Sequence, residues 1–134
     1  MSRPPNVFGQ NLQEGQKRWS SDQKLIFEFS ITNEQPAQST LHIQHNNQYP
    51  FRNLYLFTTL TLPTGDIKQD TLEILLAEPN GRWLGNGYGN SKTIHLELPL
   101  QAKEKGSYRL EIQQGMRPEK LQGLEKIAFS ITQL

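Results

Sequence analysis

The sequence contains no cysteine among its 134 residues. Disulfide bonds, thiolate metal ligands and a cysteine nucleophile are therefore excluded. No apolar run approaches the ~18 residues that a membrane-spanning helix requires. Positive charge is not concentrated either, because 14 basic and 13 acidic residues are spread along the chain and give a formal net charge of +1. Without a basic track that could follow phosphates, we expect no nucleic-acid partner.

Hydrophobic residues make up only 34% of the chain, and the mean hydropathy is -0.67. They are nevertheless gathered in short runs in which apolar and polar residues alternate, which is typical of strands with one buried face. Seven such runs cover residues 25–31, 39–45, 54–62, 71–76, 93–100, 107–114 and 127–134. This pattern predicts an all-β fold, namely a single-domain antiparallel β-sandwich of jelly-roll or immunoglobulin-like type.

Three segments depart from simple alternation. Residues 54–62 (LYLFTTLTL) are apolar on both faces, so we expect a central strand that is covered on both sides. Residues 118–126 are the only stretch that is compatible with a helix. Residues 1–21 contain Pro4 and Pro5 and several Gly, Asn and Gln residues, which predicts an extended arm that becomes ordered near Trp19. We accordingly place the sandwich domain at residues 22–134.

The three histidines do not suggest a metal site. His42 and His45 are three residues apart and should point to opposite faces of one strand, while His95 lies on the polar face of a distant strand. We therefore expect solvated histidines and no metal ligands.

No catalytic constellation is visible in the sequence. The carboxylates of Asp66, Asp70 and Glu73 lie in one turn–strand segment, where charged residues are common, and no spacing rule for acid–base catalysis selects them. No serine stands in a nucleophile-elbow sequence. We expect no enzymatic activity, no catalytic residue and no cofactor.

Residues 81–90 (GRWLGNGYGN) combine glycines with two aromatic residues. A phosphate-binding loop would be followed by a helix, whereas strand residues follow here, so that interpretation fails. Trp83 and Tyr88 could form a stacking platform for a sugar or a peptide. Alternatively, the glycines allow turns and Trp83 covers an open end of the sandwich. The covering role is favoured, and both interpretations stay open.

Residues 113–118 (QQGMRP) end an alternating strand with an unusual sequence. Gly115 indicates a bulge or bend, and Pro118 ends strand pairing. Met116 and Arg117 should therefore turn away from the regular sheet. In the favoured interpretation Arg117 pairs with an internal carboxylate or a backbone carbonyl; in the other it presents its guanidinium group to a partner.

Several of these segments occur together in an order and spacing that we associate with one protein family. They are Trp19 with Phe27-Glu28-Phe29, Tyr49-Pro50-Phe51-Arg52-Asn53-Leu54-Tyr55-Leu56-Phe57, Gly81-Arg82-Trp83-Leu84-Gly85-Asn86-Gly87, Gly106-Ser107-Tyr108 with Gln114-Gly115-Met116-Arg117, and Leu121-Gln122-Gly123-Leu124. From about residue 7 to residue 134 the chain resembles the gliding-motility lipoprotein H (GldH) family of Bacteroidetes bacteria. No single motif is decisive, but their combination is specific.

The resemblance implies an exported protein that is held at the cell envelope by a lipidated N-terminal cysteine and faces the periplasm. It implies an accessory role in the gliding-motility apparatus, which is linked to the type IX secretion system, with no enzyme activity and no cofactor. Residues 1–5 contain neither a signal peptide nor that cysteine. We therefore expect this sequence to begin just after the anchor, with Met1 and Ser2 replacing it. Residues 1–21 would then link the anchor to the sandwich. Gln44 stands where the family leads us to expect a basic residue.

Two functional hypotheses follow from the sequence. The first is a non-catalytic, lipid-anchored sandwich that contacts other envelope proteins of the gliding machinery. Its interface candidates are Arg52, Asn53, Trp83, Tyr88, Met116 and Arg117, because aromatic residues, Met and Arg are enriched in interface cores. The second is a carbohydrate-binding module in which Trp83 and Tyr88 stack on sugar rings.

Overall fold

The computed structural model describes residues 6–11, 18–33, 36–100 and 103–133, which form ten strands. In chain order these are β1 (Asn6–Asn11), β2 (Arg18–Ser20), β3 (Leu25–Ile31), β4 (Ala37–Asn46), β5 (Asn53–Thr61), β6 (Ile67–Leu75), β7 (Ser91–Glu97), β8 (Gly106–Gln114), β9 (Lys120–Gln122) and β10 (Leu124–Gln133). The described part of the chain has no helix with the length and apolar character needed to span a membrane.

Eight of the strands form two four-stranded sheets, and every pairing is antiparallel. The first sheet has the order β1-β10-β4-β7 and the second has the order β3-β8-β5-β6. Strands β2 and β9 form a separate short ribbon. The predicted all-β, single-domain antiparallel sandwich is confirmed, and each of the seven predicted runs falls on one of these strands.

The two sheets bury one apolar core between them because alternate residues of each strand point inward. In β3, Leu25, Phe27 and Phe29 are buried, while the residues between them are more exposed. The ring of Phe29 stacks on Tyr108 of the same sheet with centroids 5.2 Å apart. It also lies 5.3 Å from the ring of Phe129, which belongs to the other sheet. Aromatic contacts of this kind join the two layers.

The doubly apolar segment 54–62 becomes β5, which lies between β8 and β6 in the interior of its sheet. Its inward residues Leu54, Leu56 and Leu60 are buried, but Tyr55 and Phe57 on the other face are 38% and 47% exposed. The expected central position is therefore correct, and the expected cover on both faces is wrong. In the described part of the chain there is no third layer over this face.

Two further expectations need correction. Residues 118–126 form no helix, because β9 and the start of β10 occupy them and Gly123 between these strands has a φ of 90°. Within the predicted arm 1–21, Asn6–Asn11 pair with β10 and Arg18–Ser20 pair with β9, so these two segments are strands. Trp19 is fully buried, and its Nε1 donates to the Gln23 carbonyl oxygen at 2.9 Å.

The topology collects three connecting segments at one end of the sandwich. Strand pairings place Asn46 opposite Ser91 and Asn53 opposite Leu75, so β4 and β6 end where β5 and β7 begin. Strand β8 ends and β10 begins at the same level. Segments 46–53, 76–90 and 115–123 therefore meet there, and we call this region the loop end. The opposite end, which contains the turn between β5 and β6, is called the far end.

Candidate functional site

All six interface candidates lie at the loop end. Arg52 and Asn53 come from the first of its segments, Trp83 and Tyr88 from the second, and Met116 and Arg117 from the third. The topology thus brings together residues that are up to 65 positions apart in the sequence (117 − 52 = 65). Their individual contacts differ and divide them into two groups.

Arg52 joins the first two segments. Its backbone carbonyl oxygen accepts hydrogen bonds from the amides of Leu76 at 2.7 Å and Ala77 at 3.2 Å. Its Nη1 donates to the carbonyl oxygen of Pro79 at 3.0 Å. Because both the backbone and the guanidinium group bind segment 76–90, Arg52 sets the path of that segment although its side chain is exposed.

Asn53 is held between its own strand and β6. Its Nδ2 donates to Glu73 Oε2 at 3.1 Å, and its carbonyl oxygen accepts the Tyr49 hydroxyl at 2.5 Å. Burial raises the pKa of Tyr49 above its ordinary value, so this hydroxyl keeps its proton and acts as a donor. Asn53 is therefore a partly buried structural link.

Trp83 is partly buried and packs over the edge of the core. One part of its indole contacts the His45 ring, with ring centroids 4.5 Å apart, and its Nε1 donates to Asn47 Oδ1 at 3.0 Å. The following amide of Leu84 donates to the Leu76 carbonyl oxygen at 2.8 Å. These contacts match the covering role that was favoured for Trp83, and His45 occupies part of the surface that a stacking platform would offer.

His45 is a buried residue that the sequence interpretation assigned to solvent. Its side chain has no exposed surface, its Nδ1 lies 3.3 Å from the Asn46 carbonyl oxygen, and its Nε2 has no hydrogen-bond partner in the described structure. Burial lowers the pKa of His45 below its ordinary value, and this outweighs the raising effects of the Asn46 carbonyl and of Glu125. Alternation already contained the signal, because His45 has the same parity as the inward residues Leu41 and Ile43.

Glu125 connects three strands at the loop end. Its carboxylate accepts hydrogen bonds from Gln44 Nε2 at 3.1 Å, Asn46 Nδ2 at 3.2 Å and Ser91 Oγ at 2.7 Å. These donors belong to β4 and β7, while Glu125 belongs to β10. At Gln44, where a basic residue was expected, an amide–carboxylate hydrogen bond joins β4 to β10.

Met116 lies in a tight turn that Gln114 supports. The Met116 amide donates to Gln114 Oε1 at 2.7 Å, and Gln114 Nε2 donates to the Pro118 carbonyl oxygen at 2.9 Å. The Tyr55 amide donates to Met116 Sδ at 3.2 Å. Gln114 is almost fully buried, and sequence reasoning missed it although it has the same parity as the inward residues Leu110 and Ile112.

Arg117 and Tyr88 project from the surface. Arg117 is exposed, and the favoured pairing with a carboxylate or carbonyl is not seen within the described part of the chain. Tyr88 is 98% exposed. The backbone beneath it is nevertheless held in place, because Lys92 Nζ donates to the Gly87 carbonyl oxygen at 3.0 Å.

The three carboxylates that the sequence analysis weighed as an acid–base set, Asp66, Asp70 and Glu73, each bind a nearby donor. Asp66 Oδ2 pairs with Thr64 Oγ1, Asp70 Oδ1 accepts the Thr71 amide, and Glu73 accepts Asn53 Nδ2. Asp66 and Asp70 thus stabilise the chain next to themselves, and Glu73 links β6 to β5. Within the described ranges, no group of three or more His, Asp or Glu side chains is placed to hold a metal ion.

His42 and His95 are close neighbours, which corrects the expectation that they lie on distant strands. The pairing of β4 with β7 puts them directly opposite each other, with an Nδ1–Nδ1 distance of 2.6 Å. Sequence alone does not give the register between strands whose paired residues are 53 positions apart, so this contact was not predictable.

Comparison with known proteins gives consistent family matches. The family model described as GldH lipoprotein matches residues 6–131. A relative named "Gliding motility lipoprotein GldH homolog", from Christiangramia forsetii, is 34% identical over 123 residues and the match covers 84% of this chain and 76% of the relative. A second, "Gliding motility lipoprotein GldH" from Flavobacterium johnsoniae, is 32% identical over 123 residues and covers 86% of this chain and 77% of the relative.

Solved structures are more remote. A GH115 4-O-methyl-alpha-glucuronidase, BtGH115A, has 15% sequence identity and a TM-score of 0.47, and the match covers 99% of this chain but only 16% of that chain. At this level of likeness the comparison carries no argument about function.

Proposed function

This chain belongs to the GldH lipoprotein family, and from that premise we propose that it is a non-catalytic accessory protein of the gliding and type IX secretion machinery. In this proposal it acts through protein–protein contacts made by the loop end. The folded domain begins with β1 (Asn6–Asn11), and in this proposal the chain before β1 connects it to a lipid anchor that keeps it in the cell envelope, facing the periplasm. Its partners are other envelope proteins of the same machinery.

The observation that carries the proposal is that two side chains at the loop end are exposed while the backbone beneath them is anchored by other residues. Tyr88 and Arg117 project into solvent from segments whose backbones are held by other residues. Tyrosine and arginine are among the residues that contribute most to binding at protein interfaces. A side chain presented from a backbone that is already ordered loses little conformational entropy on binding. We assign Tyr88 and Arg117 to the contact surface and Arg52, Asn53, Trp83 and Met116 to its support.

Motility of the bacterium that encodes the protein tests this proposal. Tyr88→Ala with Arg117→Ala, introduced at the natural gene, is expected to abolish or strongly reduce colony spreading while the amount of protein in the envelope stays normal. The matched control is Ile67→Ala with Arg109→Ala, which also removes an exposed apolar side chain and an arginine. Both control residues pair with Thr61 at the far end, so spreading should persist.

Normal spreading of the Tyr88→Ala, Arg117→Ala strain would show that these two side chains are not needed for motility. Loss of spreading in both double variants would show a general defect rather than a local one. The carbohydrate-binding alternative is distinguished by calorimetry with plant and chitin-type oligosaccharides. Binding that Tyr88→Ala eliminates, in a protein that still supports spreading, would favour the sugar hypothesis.

A further inference from the structure

Two histidines face each other on the outer surface of the first sheet. His42 of β4 and His95 of β7 are direct cross-strand partners, and their rings are inclined at 74° with centroids 4.8 Å apart. Their Nδ1 atoms are only 2.6 Å apart. The other ring nitrogen of His42, Nε2, lies 2.8 Å from Ser130 Oγ of β10. One histidine is thus fixed at both nitrogens, and both Nδ1 atoms point to the same place.

The surroundings leave room beside His42. A surface depression of about 280 Å³ is lined by His42, Gln44, Thr93, Lys126 and Ala128. Ala128 is the direct partner of His42 on the β10 side, so a small side chain stands where a large one would cover the imidazole. Ligand exchange at His42 can therefore take place from solvent.

The short Nδ1–Nδ1 distance defines the protonation pattern. Two ring nitrogens at hydrogen-bond distance share one proton, so one of them presents a lone pair to the other. If His42 Nε2–H donates to Ser130, then His42 Nδ1 is the acceptor and His95 Nδ1–H is the donor. Moving the His95 proton from Nδ1 to its solvent-side Nε2 leaves two lone pairs aimed at one point. The change is a tautomer shift and releases no net proton.

We propose that His42 and His95 form a two-histidine binding site for a divalent transition-metal cation of the Cu²⁺, Ni²⁺ and Zn²⁺ class. Imidazole nitrogen is a preferred ligand for these ions. With metal–nitrogen distances of about 2.0–2.1 Å, two ligands in a square or tetrahedral arrangement are about 2.9–3.4 Å apart. The rings therefore need to separate by less than about 1 Å, which a small side-chain rotation provides.

Other features set the strength and selectivity of the site. The Ser130 hydroxyl holds the non-coordinating nitrogen of His42, as outer-shell partners do in metal sites. No third His, Asp or Glu ligand joins the pair in the described part of the chain, so water completes the coordination and the metal exchanges readily. Lys126 lines the same depression and opposes a bound cation through its charge. The Irving–Williams order predicts that Cu²⁺ binds most tightly.

A bound ion would clamp β7 to β4. Strand β7 is at the outer position of the first sheet, and it directly follows segment 76–90. The clamp would thus steady the strand into which that segment, with Tyr88, leads. This clamping effect goes beyond the proposed function, and metal binding itself does not require it.

Isothermal titration calorimetry with CuCl₂, NiCl₂ and ZnCl₂ tests the site on the untagged full chain at pH 7.5. We expect one ion per chain, with Cu²⁺ tightest, and a rise in the thermal unfolding temperature that grows with the metal concentration. His42→Ala and His95→Ala should each weaken Cu²⁺ binding at least tenfold, and the double variant should weaken it no further, because either change destroys the chelate. Circular dichroism of each variant checks the fold.

Lys126→Ala provides a variant that acts in the opposite direction. Removing the positive charge from the rim should tighten Cu²⁺ binding several-fold while both ligands stay in place. Binding that survives either histidine substitution unchanged would overturn the proposal, because the ion would then be held elsewhere. Absence of saturable binding of all three ions by the folded wild-type chain would overturn it as well.

Discussion

Two arginines of the loop end, Arg52 and Arg117, differ more than their shared chemistry suggests. Arg52 binds the Pro79 carbonyl oxygen with its side chain and two amides with its backbone, so it belongs to the support. Arg117 lies exposed and is assigned to the contact surface. Trp83 and Tyr88 differ in the same way, since the first packs on His45 and the second is 98% exposed. Residue type alone therefore does not separate the proposed contact residues from the supporting ones; the supporting residues are those whose side chains bind neighbouring segments.

The largest expected effect comes from breaking the support at Gly123. A Cβ atom there would lie 2.3 Å from the Tyr49 amide nitrogen, and the φ of +90° is itself unfavourable for other residues. Gly123→Ala should therefore destabilise the fold by more than about 3 kcal/mol, because backbone atoms cannot move aside cheaply. Urea unfolding at 25 °C measures this.

Gly81→Ala is the matched control for that prediction. Gly81 has a φ of +89°, but nothing lies within 4 Å of its added Cβ. The conformational cost alone amounts to about 1–2 kcal/mol. Equal losses in the two variants would show that the close approach of Gly123 to segment 46–53 is not important.

The second prediction tests whether the Trp83 side chain contributes to the stability of the fold. Trp83→Ala removes the contact with His45 and the hydrogen bond to Asn47. It should lower the free energy of unfolding by about 2–3 kcal/mol. This is less than for a fully buried aromatic residue, because Trp83 is only partly buried. Trp83→Phe, which keeps much of the apolar contact, should lose less than half as much. A loss below 0.5 kcal/mol for Trp83→Ala would contradict its supporting role.

The third prediction concerns the pH dependence of the support. Because burial lowers the pKa of His45 in the folded state, the unfolded chain binds its proton more readily. The corresponding stability is fully present above the unfolded-state pKa of about 6.5 and is lost as the pH falls through the lower folded-state pKa. The charges that face His45 are Glu125, which raises its pKa, and Lys92, which lowers it.

Urea midpoints between pH 7.5 and pH 5 measure this effect. The midpoint should fall towards acid pH in the wild-type chain, and the fall should be smaller in His45→Gln, which cannot take up a proton. His42, whose pKa is also lowered by burial, accounts for part of the remaining slope, so His42→Gln serves as the comparison. An unchanged slope in His45→Gln would argue against proton uptake at this site.

The smallest expected effect on stability concerns the two proposed contact residues. Tyr88→Ala and Arg117→Ala should each change the free energy of unfolding by no more than about 0.5 kcal/mol, since exposed side chains without fixed partners contribute little to stability. Chemical denaturation of the single variants measures this directly. A loss above 1 kcal/mol in either case would move that residue from the contact surface to the support.

Alternation predicted the strands well wherever one face is buried. Strand β6 shows the limit, because it begins at Ile67 and residues 67–70 are all exposed, so no alternating pattern marks the first four residues of the strand. At residues 118–126, the absence of a strand pattern was mistaken for helix compatibility. A turn at Gly123, with β9 and β10 on either side, explains that composition.

The loop end was less predictable than the fold. The six candidates could be selected by residue type, but their tethers depend on contacts between segments that are far apart in sequence. Gln114 and Glu125 illustrate this, since each satisfies several hydrogen bonds that only the folded arrangement creates. Burial itself was predictable for His45 and Gln114, because they have the same parity as the inward residues Ile43 and Ile112.

The position of β10 in its sheet has a consequence for the order of assembly. This strand, at residues 124–133, lies between β1 and β4, so the first sheet stays split until that late part of the chain is available. Pairing between the beginning and the end of a chain slows folding, since a large loop must close first. Strands β1 and β4, which lie far apart in the sequence, are joined into one sheet only when β10 has paired with both of them.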